Sequence, residues 1–210
     1  DLGSYSSSGY AVVIQDARGR FASEGTARPW VDDGWGELQD GYDTMQWIRA
    51  QNWCNGRIVT VGPSAGSILQ MLLAGIAPEG LVGQLWEVGP FSNYHQTCYF
   101  GGVFRKSLVE GWLSAGLWPS ECLVEIRAHP TYDDYWCLQN LGERAEVVNW
   151  PIAFVGGWFD IFQQGTLDAF TTIQQRGGPN TRGDVHLMMG AWTHAVNNTQ
   201  VGEQVFPDSA

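Results

Sequence analysis

Hydrophobic positions along the first third of the chain predict strands that alternate with helices. The near-continuous apolar run in "GYAVVIQDARG" predicts a buried strand from Tyr10 to Gln15. Apolar positions at helical spacing predict a helix over about residues 37–51, with Leu38, Tyr42, Met45 and Ile48 on its buried face. Arg57 to Val61 is the next predicted strand. The helix predicted to follow it has Ile68, Met71, Leu72 and Gly75 on one face.

The same alternation returns near the end of the chain after a long interruption. Leu81 to Val88 predicts a strand, and residues 90–150 then lose the pattern and become rich in Gly, Trp and Tyr. We interpret this segment as a mainly helical cap insertion within a single domain, residues 1–210. Strands are predicted again at 152–157 and 184–194, and the helix between them carries Leu167, Phe170 and Ile173. This order predicts an α/β fold with a mainly parallel sheet.

Composition and charge limit the classes of function. The net charge of −11 excludes nucleic acid as a partner, because nothing would neutralise its phosphates. No apolar run reaches transmembrane length, so we expect a soluble protein without a membrane partner. The N-terminus has neither Met nor a signal-peptide pattern, which is typical of a processed or truncated start. Acidity, an even number of cysteines and an Asn197-Asn198-Thr199 sequon favour an extracellular location over a cytoplasmic one.

The cysteines and tryptophans each leave two interpretations open. The four cysteines contain no C-x-x-C pair, so a structural zinc site is not expected. They can be free thiols or form disulfides, with Cys98–Cys122 and Cys122–Cys137 as the pairs closest in sequence. Many of the 11 tryptophans fall between Trp86 and Trp158, which fits an aromatic-lined pocket or cap as well as a Trp-rich core.

The stretch "VGPSAG" carries the strongest chemical signal. Gly62-Pro63-Ser64-Ala65-Gly66 fits the pattern G-x-S-x-G and stands between a predicted strand and a predicted helix. In that setting the serine occupies a strained turn that presents a nucleophile, and the flanking glycines avoid steric clashes. The following helix directs its first N–H groups, that of Ala65 foremost, toward a developing oxyanion. The alternative is an ordinary tight turn.

A serine nucleophile needs a base and a carboxylate. Of the four histidines, His194 lies just past the last predicted strand, where open α/β sheets place functional groups. His186 lies inside that strand and is expected to be a packed core residue, whereas His95 and His129 belong to the insertion. Asp160 directly follows the strand at 152–157. The resulting order of serine, aspartate and histidine is that of α/β-hydrolases.

Successive blocks of the chain resemble the CocE/NonD serine hydrolases, a group that includes X-Pro dipeptidyl peptidases and α-amino-acid ester hydrolases. The blocks are "GYAVVIQDARGRFASEG", "VGPSAG", "HPTYDDYW", "VGGWFDIF" and "GAWTH", in the family order over residues 9–195. The resemblance implies that Ser64 is the nucleophile, Asp160 the acid and His194 the general base.

The resemblance also implies roles for residues around these three. Phe162 matches an aromatic residue at the acyl pocket, and Trp158 and Trp192 are further predicted substrate-binding residues. Asp16 and Arg18 are interpreted as an ion-paired brace. Two features of the family are missing: the N-terminal strands with a Tyr that completes the oxyanion hole, and a C-terminal β-sandwich. Losing one oxyanion donor typically costs about 100- to 1000-fold in rate.

The sequence thus predicts a serine hydrolase that acts on small-molecule esters or amides, with a bulky or aromatic acyl group favoured by the Trp-rich insertion. No cofactor or metal is needed, and a homo-oligomer would cover the open sheet edge. One alternative is an X-Pro dipeptidyl peptidase, in which Glu87, Asp133 or Asp134 would bind the amino terminus of a substrate. A second alternative is a non-catalytic binding domain that retains the fold.

Overall fold

A four-stranded parallel sheet forms the centre of the fold in the computed structural model, which describes residues 2–207. The helices are α1 Leu2–Ser7, α2 Asp40–Arg49, α3 Ala65–Ile76, α4 Lys106–Ala115, α5 Ser120–Ala128, α6 Asp134–Cys137 and α7 Gln163–Arg176. The strands are β1 Ile58–Pro63, β2 Leu81–Glu87, β3 Tyr99–Phe100, β4 Val103–Phe104, β5 Ile152–Gly157, β6 Val185–Gly190, β7 Gln200–Val201 and β8 Gln204–Val205.

All four strands of the central sheet end along the same edge. Their order is β1-β2-β5-β6, and every neighbouring pair is parallel. The last residues of β1 and β2 are in register, Pro63 beside Glu87, and those of β5 and β6 likewise, Gly157 beside Gly190. Loops that leave these ends therefore start close together, which is how a parallel sheet assembles a site from distant segments.

The core lies between this sheet and the helices that pack on it. Met71, Leu72 and Ala74 of α3 are fully buried, and α7 buries Ala169 and Ile173 completely. The sheet contributes Trp86 and Phe154, whose rings meet edge to face at a centroid distance of 5.1 Å. The helices predicted around residues 37–51, after Ser64 and after residue 160 are confirmed as α2, α3 and α7, with shorter bounds for α2.

The segment between β2 and β5 contains most of the remaining helices. It begins with a π-helical turn, Asn93–Cys98, continues through the β3–β4 hairpin and then forms α4, α5 and α6. Two 3-10 turns, Leu141–Glu143 and Ala145–Val147, lead back to the sheet. Trp136 of α6 is completely buried, and its indole N–H donates to the carbonyl of His129 at 2.8 Å.

The strand predicted from Tyr10 to Gln15 is wrong. This segment has no regular secondary structure and pairs with no strand in the part of the chain that is described. Ile14 is 73% exposed, so the apolar run is not buried as a central strand would be. The segment instead faces the open edge of β1 across a cleft of about 680 Å³, which Val13, Thr60 and Leu69 help to line. The cleft separates this segment from β1, so the apolar run forms no ladder of hydrogen bonds with that open edge.

Several smaller expectations are also resolved. All four cysteines are free thiols. Of the tryptophans between Trp86 and Trp158, Trp86, Trp136 and Trp150 are buried core residues, which agrees with the interpretation as a Trp-rich core. The predicted Asp16–Arg18 brace is wrong: the guanidinium of Arg18 pairs with Asp40, the first residue of α2. Among residues 2–207, no helix combines the length and apolar character that a membrane span requires.

Candidate active site

Ser64 occupies a strained turn between β1 and α3. Its φ and ψ angles are 54° and −117°, a left-handed φ that residues with a Cβ rarely adopt. The Ser64 N–H donates to the carbonyl of Glu87 at 2.9 Å, which fixes the turn to the end of β2. The side chain is thereby held at the edge of the sheet where all four strands end.

The two glycines of the motif do not carry equal steric constraint. A Cβ on Gly62 would lie 3.3 Å from the Cα of Gly66, a tight contact that a side chain there could make only if the strand and the helix moved apart slightly. A Cβ on Gly66 would meet its nearest neighbour, a ring carbon of Pro63, at an ordinary 3.9 Å. The tighter steric constraint therefore lies at Gly62.

Ser67 is a second serine that the sequence reading did not single out. Its side chain is fully buried one turn into α3. Its Oγ lies 2.7 Å from the Gly62 carbonyl and 2.9 Å from the Glu87 carbonyl, and it accepts a hydrogen bond from the Glu87 N–H at 2.9 Å. Ser67 thus ties the turn to both strands below it. Ser67 lies three residues after Ser64 in the predicted helix, and no pattern in the sequence indicates that its hydroxyl bonds to the strands.

His194 links Ser64 to Asp160. The Nε2 atom of His194 lies 2.8 Å from Ser64 Oγ, and its Nδ1 atom lies 2.6 Å from Asp160 Oδ1. The Asp160 side chain is completely buried, while that of His194 is 34% exposed. A buried carboxylate on one ring nitrogen holds the other nitrogen toward the serine, as a general base requires. The structure therefore brings together the three side chains that the sequence placed after three different strands.

The loops that carry Asp160 and His194 are bound to each other by their backbones. The N–H groups of Trp158 and Phe159 donate at 2.9 Å to the carbonyls of Gly190 and Trp192. A Cβ on Gly157 would overlap the carbonyl oxygen of Trp192, so only glycine permits this approach. The Gly-Gly pair that ends β5 was the available sequence signal for it.

The predicted substrate-binding residues occupy different environments. Phe162 is buried, and its ring meets the His194 ring edge to face at a centroid distance of 5.5 Å. Trp192 is buried over β6, where its ring fills the space that a side chain on Gly190 would need. Trp158 is 52% exposed. Phe162 thus contacts the His194 member of the Ser64–His194–Asp160 group.

The other three histidines lie away from this group. His186 was expected in the core, but its side chain is 70% exposed and its Nε2 lies 3.1 Å from Asp184 Oδ1. The reason is that β6 is an edge strand with one face open to solvent. His95 stacks on Tyr132, and His129 stacks on Tyr135 in the segment between β2 and β5.

Two features define the electrostatics around Ser64 and Asp160. Ala65 is the first residue of α3, and the first amides of a helix have no acceptor within it, so the Ala65 N–H is available at the positive end of the helix dipole. The second is Asp160 Oδ2, which is buried and accepts no hydrogen bond from the residues that the structure describes. Across those same residues, no cluster of His, Cys, Asp and Glu side chains is suited to hold a metal ion.

A serine at such a turn, above the strand ends of a parallel sheet and in line with a histidine and an aspartate, defines an α/β-hydrolase core. The sequence matches the family described as X-Pro dipeptidyl-peptidase (S15 family) over residues 3–125 and 116–196. These matches cover most of the chain, and the chain belongs to this family.

Individual relatives agree with this assignment and confirm the CocE/NonD resemblance. The chain is 28% identical to the cocaine esterase of Rhodococcus sp. (strain MB1 Bresler) over 233 residues, which covers 89% of this chain and 39% of that protein. A CocE/NonD family hydrolase from Staphylococcus aureus superposes with a TM-score of 0.63 at 20% identity, over 82% of this chain and 31% of that one.

Two further solved structures share the fold. An aminopeptidase from a Thaumarchaeota archaeon gives a TM-score of 0.75 at 21% identity, over 97% of this chain and 41% of that one. An α-amino acid ester hydrolase gives 0.69 at 20% identity, over 91% and 38%. At these identities the structures establish the fold. The chain spans about two fifths or less of the length of each relative.

Proposed function

We propose that this chain carries the catalytic centre of a serine hydrolase that cleaves carboxylic esters or amides through an acyl-enzyme. Ser64 Oγ attacks the carbonyl carbon of the substrate while His194 Nε2 takes the hydroxyl proton. His194 then gives this proton to the departing alcohol or amine, which leaves an acyl ester on Ser64. Water, deprotonated by His194, hydrolyses that ester and releases the acid. Asp160 orients His194 and stabilises its charged form.

One observation carries the proposal: the unbroken hydrogen-bonded line from Ser64 through His194 to Asp160. The distances of 2.8 Å and 2.6 Å are those of a base in contact with its nucleophile and its carboxylate. Exposed Ser–His or Asp–His pairs arise by chance on surfaces. A hydrogen-bonded line of three side chains, which begins at a strained turn and ends at a fully buried carboxylate, supports a catalytic role.

The Ala65 N–H is the proposed oxyanion donor. It follows the nucleophile directly and belongs to the first turn of α3, so its dipole favours negative charge on the substrate oxygen. A second donor, which such sites use in addition, is not assigned to a residue of this chain. The chain by itself is therefore expected to turn over slowly.

The proposed substrates are small esters or amides with an aromatic or bulky acyl group. Phe162 offers the aromatic surface nearest His194. The segment between β2 and β5, with its buried aromatic cluster around Trp136, is proposed as the cap over the site.

Substitution of Ser64 tests the proposal. Ser64→Ala should abolish the turnover of a p-nitrophenyl ester, because it removes the hydroxyl that lies against His194 and is proposed to form the acyl intermediate. Ser107→Ala is a matched control, since Ser107 is an exposed serine on α4. Hydrolysis that persists unchanged in a folded Ser64→Ala variant would remove Ser64 from its role.

The family assignment favours one alternative, an X-Pro dipeptidyl peptidase, for which a carboxylate must bind the substrate amino group. Of the candidates, Asp133 pairs with His129 at 2.7 Å, Asp134 begins α6, and Glu87 ends β2 directly beside the Ser64 turn. Glu87 is thus the best placed. Faster cleavage of an Ala-Pro-anilide than of a simple ester would select this alternative. Tight binding of an aromatic ligand without any turnover would instead select a non-catalytic domain.

A further inference from the structure

Arg105 stands between the segment after β2 and the loop that carries Asp160. It immediately precedes α4, and its side chain is half-buried. Its guanidinium donates from Nη1 to the carbonyl of Gln96 in the π-helical turn, and from Nη1 and Nη2 to the carbonyl of Ile161 at 3.4 Å and 3.3 Å. Ile161 directly follows Asp160. A single side chain therefore connects two distant segments at the residue next to the acid.

Arg105 lacks a close carboxylate partner, and the second oxygen of Asp160 lacks a hydrogen-bond donor, among the described residues. Within residues 2–207, Arg105 forms no salt bridge with a carboxylate, although it is half-buried. Asp160 is bound through Oδ1 to His194, and its buried Oδ2 has no donor in the same residues. A buried anion with an unsatisfied oxygen is costly unless a cation lies nearby.

Asp160 contributes to the electrostatics of Arg105. Burial lowers the pKa of the Arg105 guanidinium, and the charges of Cys98 and Asp160 oppose that change. Cys98 itself is buried, and burial raises the pKa of its thiol to about 12, so it is neutral near neutral pH. Near neutral pH the opposing charge is therefore that of Asp160.

We propose that Arg105 is a positioning residue for the acid of the site: its forked hydrogen bonds fix the Asp160–Ile161 loop, and its charge favours the ionised carboxylate behind His194. This inference rests on the proposed function. It also assigns the segment between β2 and β5 a task beyond covering the substrate, because that segment supplies the cation.

The charge of Arg105 has a measurable consequence at His194. A cation near the pair disfavours the protonated imidazole, so its removal should raise the pKa of His194 by about half a unit. The loss of the fork should also loosen the Asp160 loop and slow the reaction of Ser64. Lysine retains the charge but not the planar fork, so it separates the two contributions.

The experiment compares Arg105→Gln, Arg105→Lys and Arg127→Gln. Arg127 is the matched control, because it pairs with Glu110 and lies over the Phe104 ring in the same segment without reaching the Asp160 loop. Two quantities are measured: the rate at which a fluorophosphonate labels Ser64, and the pKa of His194 by nitrogen-15 NMR. Thermal unfolding of each variant verifies the fold.

We expect Arg105→Gln to label about 10-fold more slowly at neutral pH, with the higher His194 pKa. Arg105→Lys should keep the parent pKa within about 0.2 unit yet label about 2- to 5-fold more slowly. Arg127→Gln should match the parent. Labelling of Arg105→Gln within about twofold of the control, or a His194 pKa equal in all variants, would overturn the inference. If Arg105→Gln does not fold, the Lys variant decides alone: a changed His194 pKa or parent-like labelling would overturn the inference.

The two readouts also separate this inference from the proposed function. If the parent chain does not label at Ser64, the proposed hydrolase fails. The NMR titration still measures whether Arg105 acts on the His194–Asp160 pair, since it requires no turnover.

Discussion

At the scale of single residues, the site depends on the buried carboxylate of Asp160 and on Gly157, where no side chain would fit. Asp160 is fully buried with one oxygen on His194, so it fixes which ring nitrogen of His194 faces Ser64. Gly157 permits the His194 loop to lie against the Asp160 loop. Each feature yields a prediction that isolates it.

Asp160→Asn should retain the fold but lower the rate of ester turnover by about 10³- to 10⁴-fold, because the amide stabilises the wrong tautomer of His194. The measurement is kcat/KM for a p-nitrophenyl ester. Asp184→Asn is the control, since Asp184 also lies within hydrogen-bond distance of a histidine, the exposed His186. A rate for Asp160→Asn within tenfold of that control would mean that the carboxylate does not act through His194.

Gly157→Ala should cost about 2 to 4 kcal/mol of unfolding free energy, because the new methyl group overlaps the Trp192 carbonyl oxygen. Denaturation in urea measures it. Gly111→Ala is the matched control: Gly111 lies within α4 with open space around it, so alanine there should stabilise by about 0.5 to 1 kcal/mol. Equal stabilities for the two variants would contradict the close approach of the two loops.

At the scale of elements, α3 is attached to the sheet by a buried polar network. The Gln70 amide nitrogen donates to the carbonyls of Gly62 and Leu85 at 3.1 Å and 2.9 Å, and its oxygen accepts from Thr60 Oγ1 at 2.8 Å. Gln84 extends the network through its own bonds to Thr60 and Trp150. Because every member is hydrogen-bonded, the network orients the helix that follows Ser64.

Gln70→Leu should lower the free energy of unfolding by about 2 to 3 kcal/mol, since it removes three buried hydrogen bonds, to the carbonyls of Gly62 and Leu85 and from the Thr60 hydroxyl. Urea denaturation again provides the value. Gln174→Leu offers a contrast on α7, because the Gln174 side-chain oxygen is buried without a partner among the described residues. Gln174→Leu should leave the free energy of unfolding unchanged or raise it. A Gln174→Leu variant less stable than Gln70→Leu would contradict the role of the Gln70 network.

Much of the hydrolase core and its site could be predicted from the sequence, because hydrophobic patterns gave the strands and helices and the chain order placed the site residues after strands. Ser64, Asp160 and His194 each follow a strand, and parallel strands end at a common edge, so their convergence was predictable. The predicted strand at Tyr10–Gln15 failed because periodicity shows which residues are apolar, but not whether the segment lies within hydrogen-bonding distance of a strand edge such as that of β1. Ser67 and Gln70 were missed for a related reason: their hydrogen bonds reach across the sheet to residues far away in sequence.

At the scale of the whole molecule, two features stand out: the open edge of β1, and a group of three aspartates, Asp32, Asp33 and Asp40, near the cleft beside it. Val59 and Val61 of β1 are 49% and 43% exposed, so self-association through this edge remains a prediction. Asp33 lines the cleft beside β1. Burial, followed by the charges of Asp40 and Asp32, raises its pKa to about 7.

This raised pKa sets a pH dependence of stability. Between about pH 4 and pH 7 the folded chain keeps a proton on Asp33 that the unfolded chain loses, so stability falls as the pH rises through this range. Asp33→Asn should remove that loss and be more stable than the parent at pH 8, by about 1 to 2 kcal/mol. Urea denaturation at acid and alkaline pH measures the difference. Parallel pH profiles for parent and variant would contradict a protonated Asp33.

The most direct test of the central claim is the position of a covalent adduct. The folded parent chain is treated with a fluorophosphonate, digested and analysed by peptide mass spectrometry. We expect a single adduct on Ser64, in the peptide that contains the turn between β1 and α3. An adduct at another residue instead, or an unmodified Ser64 in a chain that NMR shows to be folded, would contradict it.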